Sequence, residues 1–275
     1  MTNPQQSAKG TAFRALHARE KAFIIPNPWD VGAARLLARL GFEALATTSA
    51  GYANSAGRVD GTIPRDEMIA HVSRLANATP LPVSADLENG FGDSPDAAAE
   101  TIRLAAQAGA VGGSIEDATG CENSPIYDLT RAADRIRAAA EAAHSLPFTF
   151  TLTARAENYL HGRPDLKDTI ARLQSYQEAG ADVLYAPGLT SRDDIAAVVC
   201  SVDRPVNVLM GLQGVQLSLA DLSALGVRRV SVGSALARAA YGAFLSAARE
   251  MRERGTFTFA NSAIKFQDLA ELLKN

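Results

Sequence analysis

Asp86, Glu88 and Glu116 are the residues of this 275-residue chain whose types and placement best suit chemistry. They close apolar, β-prone runs, in Ser84-Ala85-Asp86-Leu87-Glu88 and Ser114-Ile115-Glu116-Asp117. Carboxylates converging in a low-dielectric pocket cannot all remain ionised without a compensating cation. With oxygen donors alone, and no His or Cys at these ends, Mg²⁺ or Mn²⁺ is favoured over zinc or copper. Any one of these acids also reads as a helix N-cap or a surface loop residue, but the three together on adjacent strands read as metal ligands.

What is missing narrows the chemistry further. The lysines are Lys9, Lys21, Lys167, Lys265 and Lys274, none at the carboxyl end of an apolar run, so a Schiff-base nucleophile is lacking. No GxSxG elbow, HExxH or CxxC occurs. Of His17, His71, His144 and His161, only His161 falls in a loop after a strand, where it reads as a solvated residue. Cys121 lies in the loop beyond Glu116, and a lone thiol there is as readily inert as reactive.

The elements that must carry these residues announce themselves by a repeated phrase. Leu40-Gly41-Phe42, Ala108-Gly109-Ala110, Ala179-Gly180-Ala181 and Leu225-Gly226-Val227 each read as a helix ended by glycine and followed at once by a strand. The first three glycines are spaced by about twice the roughly 30 residues of a strand-plus-crossover unit, so further units lie between them. Candidate strands are Ala22 to Pro26, Phe42 to Ser49, Pro82 to Asp86, Val111 to Glu116, Phe148 to Arg155, Asp182 to Ala186, Pro205 to Leu209 and Arg228 to Val232. Helical periodicity marks Pro95 to Ala108, Leu129 to Ala143, Leu166 to Ala179 and Ala235 to Arg252.

Eight such alternations predict an α/β fold of the closed (β/α)8 TIM-barrel type, over a single domain spanning residues 1–275. An open doubly wound sheet is the alternative, but the GxGxxG turn after its first strand is absent. The apolar residues of Ala263 to Lys274 have helical spacing, so residues 261–275 are expected to form a C-terminal helical extension that caps the barrel, packs on a neighbouring subunit or is swapped with it. In such a barrel the chemistry sits at the carboxyl ends of the strands. There the chain places Ser49, Gly51, Tyr52 and Asp60, the three acids, Asn89, Asp93 and Asp117, then Arg155, Glu157 and Asn158, Asn207, and Gly233 with Ser234.

Composition removes other classes. Lys and Arg total 27 against 30 Asp and Glu, a net charge of −3 that offers no attraction to nucleic acid or anionic membranes. The 47% hydrophobic content supports a sizeable core and excludes bulk disorder. A polar opening from Met1 to Gly10, no apolar run long enough to span a bilayer, and only two cysteines, Cys121 and Cys200, read as a cytoplasmic protein in a reducing compartment.

Several of these runs together carry a resemblance. Asn27-Pro28-Trp29-Asp30, Thr47-Thr48-Ser49-Ala50-Gly51 with Asp60-Gly61, Ser84 to Gly92, Ser114-Ile115-Glu116-Asp117 and Ala154-Arg155-Ala156-Glu157 resemble, in order and over nearly the whole chain, the isocitrate lyase and phosphoenolpyruvate mutase superfamily. The resemblance implies that Asp86, Glu88 and Glu116 hold Mg²⁺, partly through water. It implies that Ser49, Ala50 and Gly51 grip a substrate carboxylate, that Asp60 lies near the substrate, and that Arg155 reaches the reacting oxygens. Asn207 and Ser234 match by position at the ends of strands seven and eight. The implied chemistry is cleavage next to a pyruvate-like enolate of a small 2-oxo or 2-hydroxy carboxylate such as oxaloacetate or a malate derivative, with Arg155, Asp60 and Glu116 as catalytic groups. The implied assembly is a homo-oligomer, a dimer of dimers.

Two departures matter. Glu88 stands where the family usually has Asp. The loop Asp117 to Pro125 lacks the Lys-Lys/Arg-Cys-Gly-His stretch that supplies the product-protonating acid in isocitrate and methylisocitrate lyases, which points away from those two activities. Phosphorus-carbon chemistry of the mutase or phosphonopyruvate hydrolase type, and a silent barrel that binds a metal carboxylate, remain as alternatives.

Overall fold

Eight short parallel strands build the molecule in the computed structural model, which describes residues 3–274; the expected domain limits at 1 and 275 fall outside it. They are β1 (Phe23–Ile25), β2 (Leu45–Ala46), β3 (Val83–Asp86), β4 (Gly112–Glu116), β5 (Thr151–Arg155), β6 (Val183–Tyr185), β7 (Val206–Leu209) and β8 (Arg229–Ser231). Their order around the sheet is β1-β8-β7-β6-β5-β4-β3-β2, as the barrel reading requires. Each strand is shorter than the apolar run that predicted it, because only part of each run joins the ladder. Between β1 and β2 the ring is completed by the Ala46 N–H donating to the Pro26 carbonyl at 3.1 Å. Asn27 reinforces this seam: its Nδ2 donates to the Thr47 carbonyl, and its Oδ1 accepts from the N–H groups of Val232 and Gly233.

Helices α1 (Pro4–His17), α2 (Val31–Arg39), α3 (Ser49–Ser55), α4 (Arg65–Ala78), α5 (Pro95–Gln107), α6 (Leu129–His144), α7 (Leu166–Glu178), α8 (Arg192–Cys200), α9 (Leu219–Ala224), α10 (Ala235–Arg254) and α11 (Phe266–Leu273) surround the sheet. Their starts are written locally. Asp30, Ser94, Asp128, Asp165, Ser191 and Ser218 each accept a first-turn N–H that has no partner inside its helix. Their ends are written in the repeated phrase. Gly41, Gly109, Gly180 and Gly226 adopt φ of 86°, 101°, 103° and 87°, a left-handed turn that redirects the chain into a strand.

The main core lies between the sheet and its helices, around Ile102, Ile136, Leu152, Leu173, Tyr176 and Val198. Helix α1 was not legible in the polar opening of the chain. Phe13 and Leu16 plug the amino end of the barrel against Phe23, Ile25 and Val111. Its polar residues serve the surrounding backbone: Gln6 donates to the carbonyls of Ala106 and Ala110, Lys9 to that of Thr79, and Arg14 to that of Phe150.

The end of the chain behaves differently. Over the 20 residues of α10 only Ala237 is buried, and Phe244, Phe257 and Phe266 are 64%, 66% and 87% exposed. Helix α11 lies beside α2 of the same chain, with Leu269, Leu272 and Leu273 half-buried. Among the described residues no helix is long and apolar enough to cross a membrane.

Candidate active site

At the carboxyl end of the barrel a cavity of about 1120 Å³ gathers side chains from nearly every strand end. Asp86 is fixed first. Its N–H donates to Thr47 Oγ1 at 2.7 Å, and its Oδ2 accepts the Ser49 N–H at 3.0 Å. Arg155, at the end of β5, then bridges the acids: Nη1 lies 3.0 Å from Asp86 Oδ1 and 3.1 Å from Glu116 Oε2. Nε and Nη2 both meet Glu157 Oε1, at 2.9 and 2.8 Å. The guanidinium also lies over the Tyr185 ring, 5.1 Å from its centroid. Five N–H donors against these four contacts leave one Nη2 N–H uncommitted among the described residues.

A second tier holds the first. Asp117 Oδ1 accepts the Glu157 N–H at 2.8 Å, while its Oδ2 accepts from Arg172 Nη1 at 3.0 Å and from the Tyr176 hydroxyl at 2.5 Å. This buried network fixes the backbone beneath the carboxylate that grips Arg155. Sequence reasoning had placed Asp117 and Glu157 at strand ends without a role.

Glu88 is positioned by strained backbone. Its φ is 49° and that of Phe91 is 58°, left-handed values that cost non-glycine residues energy and need enforcement by their surroundings. Enforcement comes from Arg135 on α6, whose guanidinium donates to the carbonyls of Asn89, Gly92 and Ser94. Arg135 stacks under Tyr127, 4.6 Å from the ring centroid, and the Tyr127 hydroxyl donates to Asp93 of the same loop at 2.5 Å. The Glu116 N–H donates to the Glu88 carbonyl at 3.0 Å, tying the two acid-bearing segments together.

Negative charge is in excess here. Burial, then the charges of Asp86 and Asp60, push the Glu88 carboxyl up to about 8, and its Oε1 is buried without a partner. Burial likewise raises Glu116 well above the ordinary carboxylate range, against the pull of Arg155. Burial also raises Glu157. For Arg155 burial opposes the charge, but Glu157, Glu116 and Asp86 more than offset it and hold the guanidinium protonated. Asp60 is at the exposed rim, in reach of the Ser49 hydroxyl, where enclosure by the cavity walls and then Asp86 raise its carboxyl.

The expected metal ligands therefore share one cavity, but not one direct cage. Arg155 occupies the space between Asp86 and Glu116, and among the described residues no three His, Cys, Asp or Glu side chains are gathered closely enough to enclose an ion. The physical reason is that buried carboxylates demand a cation, and the guanidinium supplies one. The donor set nonetheless suits a hard dication that keeps most of its water, with the unpartnered Glu88 Oε1 as its free protein oxygen.

The expected substrate residues divide. Ser49, Ala50, Asn207 and Ser234 line the cavity. Gly51 does not, because its N–H is taken by Thr48 Oγ1 at 3.2 Å as the cap of α3, and a Cβ there would stand 2.6 Å from Thr48 Cγ2. Asn207 donates to Ser231 Oγ and accepts from Arg229 Nε, both at 2.9 Å. Ser234 precedes α10 with no capping bond. Ala118, Thr119 and Gly120 of the loop after β4 form one wall, whereas Cys121 is exposed and outside it. His161 is at the exposed mouth.

A parallel eight-stranded barrel with a carboxylate-arginine centre in a cavity at the carboxyl ends of its strands defines a TIM barrel with its site where enzymes of that fold carry theirs. Comparison with known proteins makes the family specific. The profile of the phosphoenolpyruvate phosphomutase family matches residues 13–252, and the chain belongs to this family, within the isocitrate lyase and phosphoenolpyruvate mutase superfamily. A Burkholderia cenocepacia J2315 crystal structure, provisionally described as a lyase/mutase, superposes with a TM-score of 0.97 at 64% identity, covering 99% of this chain and 98% of that one. An uncharacterized Mycobacterium tuberculosis protein is 36% identical over 88% of this chain and 89% of its own length. The oxaloacetate decarboxylase of Chromohalobacter salexigens is 28% identical over 92% of this chain and 88% of its own.

Proposed function

We propose that the protein is a Mg²⁺-dependent lyase, with Mn²⁺ as a substitute, that cleaves a carbon-carbon bond of a small 2-oxo or 2-hydroxy carboxylate. The observation that carries this reading is the Arg155 guanidinium bridging Asp86 and Glu116 in the wall of the cavity. Asp86, Glu88 and Glu116 would hold the ion, which when bound supplies a positive charge for an oxyanion on the substrate's second carbon. Ser49 and Ala50 receive the adjacent carboxylate at the first turn of α3. The uncommitted Arg155 N–H stabilises the same oxyanion from the protein side, pre-oriented by Glu157 and by Tyr185. Asp60, its carboxyl raised by burial and by the charge of Asp86, is placed at the cavity mouth to exchange a proton. The loop wall from Ala118 to Gly120 excludes water from the intermediate.

Similarity to an oxaloacetate decarboxylase and to 2-methylisocitrate lyase supports a substrate of this class. A carbon-carbon bond is favoured over phosphorus-carbon chemistry because few cations stand near the loop, Arg131 and Arg163 alone. Arg131 lies over Tyr127 at 5.1 Å and donates to the Asp93 carbonyl, which turns it toward its own loop. The exposed apolar face of α10 supports assembly into a homo-oligomer, with a dimer of dimers as the expected form. The free thiols Cys121 and Cys200, both exposed, fit a reducing cytoplasm.

The test is a panel of 2-oxo and 2-hydroxy acids, including oxaloacetate and malate derivatives, assayed for pyruvate or oxalate release with Mg²⁺ and with a chelator. Turnover of at least one acid that stops in chelator is expected. Activity that persists there would sink the reading.

A further inference from the structure

We propose that the Arg229 guanidinium, on the floor of the cavity, forms a second anion subsite that takes a carboxylate. The proposal deepens the reading of a small carboxylate ligand by adding a recognition point that the strand-end residues do not supply.

Strand alternation puts Arg229 there. In β8, Val230 packs outward into the core between sheet and helices, so Arg229 and Ser231 face the barrel interior, and both line the cavity. Arg229 is only 5% exposed. Its Nε donates to Asn207 Oδ1 at 2.9 Å, its Nη1 is buried with no partner, and among the described residues no carboxylate pairs with it.

The contrast with Arg155 is the argument. Arg155 is held by three carboxylates, whereas the charge of Arg229 meets only neutral groups: Asn207, the nearby Tyr185 and, from below, His17. His17 brings no negative charge. Its Nδ1 donates to the Phe13 carbonyl at 2.9 Å, and burial, then Arg229 itself, push its pKa down to about 3. Burial draws Arg229 down only to about 10, so it stays protonated at neutral pH. A buried charge without a counterion is costly and persists where a ligand supplies the counterion.

The same cavity is lined by Ser49 near its mouth and by Arg229 at its base, with Ser84, Ser114 and Ser231 between them. In the proposed arrangement a ligand with two carboxylates meets the upper centre with one end and Arg229 with the other. A separate small acid is the other source of the same chemistry.

The experiment uses the full chain in chelator, so that metal-dependent binding does not contribute, with R229M and R229K beside the wild type. Calorimetry with succinate, acetate and chloride gives affinity, and thermal unfolding gives stability. The wild type is expected to bind succinate at least tenfold more tightly than R229M, with R229K between them. Without ligand, R229M is expected to unfold at a higher temperature than the wild type, because an uncompensated buried charge has been replaced by an apolar chain of similar reach. Succinate preferred over acetate assigns the subsite to the far end of the ligand; acetate bound as tightly, with the same loss in R229M, assigns it to a separate acid. Chloride binding alone, no succinate binding by the wild type, equal binding by R229M, or an R229M less stable than the wild type would each overturn the proposal, the last by making Arg229 a structural tie to Asn207. Failure of the lyase reading shows elsewhere, as absence of turnover in the acid panel, and leaves this binding measurement intact.

Discussion

Arg155 is the side chain on which most of the site's charge depends. Arg155→Lys keeps a cation, but a single ammonium cannot bridge Asp86 and Glu116 while gripping Glu157. We expect kcat to fall by about 10²- to 10³-fold, the size seen when one oxyanion donor is lost. Arg155→Gln should in addition lower stability by about 3 kcal/mol or more, since it strands buried carboxylates; steady-state kinetics and chemical denaturation check the two effects separately. Glu88 gives a pH signature. Its carboxyl titrates near 8 in the folded chain and near ~4.3 when unfolded. Between those values the folded state holds the extra proton, so stability falls as pH rises. In chelator, Tm should decline from pH 5 to pH 8, the decline should be shallower in Glu88→Gln, and Mg²⁺ should restore Tm at the alkaline end. A flat profile would show that the Glu88 carboxyl is not held protonated. The acids themselves were legible because they end β-prone runs. Arg229 was not, since it begins its strand; the only written signal was a charge at an inward position of Arg229-Val230-Ser231.

Elements, rather than single side chains, decide whether those acids arrive in place. Caps and terminal glycines made the α/β alternation readable, and the observed ends of α5, α6, α7 and α10 lie within two residues of the expected ones. The loop from Leu87 to Ser94 was opaque by comparison, because two non-glycine residues take left-handed backbone that no local propensity favours. Their conformation is imposed from α6 through Arg135, far away in sequence. Arg135→Met should release the three carbonyls, lower Tm, and weaken Mn²⁺ binding to the chain by at least tenfold in a spectroscopic titration; Arg135→Lys should recover only part. Unchanged Mn²⁺ affinity in a destabilised Arg135→Met would separate the clamp from the site. Gly51, named by its motif for the site, gives its N–H to Thr48 Oγ1 as the cap of α3 and packs against Thr48 and Trp29.

The whole molecule leaves a face uncovered. Phe244 and Leu245 on α10, with Phe257 and Phe266 beyond it, present apolar surface that a lone chain would expose to water. Light scattering should give a mass that is a multiple of the chain, and Phe244→Asp with Phe266→Asp should reduce it; a monomeric wild type would refute this assembly. The ring of strands also has an unequal circumference. β4 and β5 are in register over five residue pairs, from Gly112 with Thr151 to Glu116 with Arg155, whereas β1 meets β2 through the Ala46 amide and the Asn27 side chain. Spontaneous breathing should start at that junction, and deuterium should enter at Ala46 well before it enters at Leu152 or Ala154. Thr47 and Ser49, just beyond the junction, are the groups that steady Asp86. The most weakly paired stretch of the wall thus adjoins the anchorage of Asp86, and whatever ligand settles there would tighten the hoop as it binds.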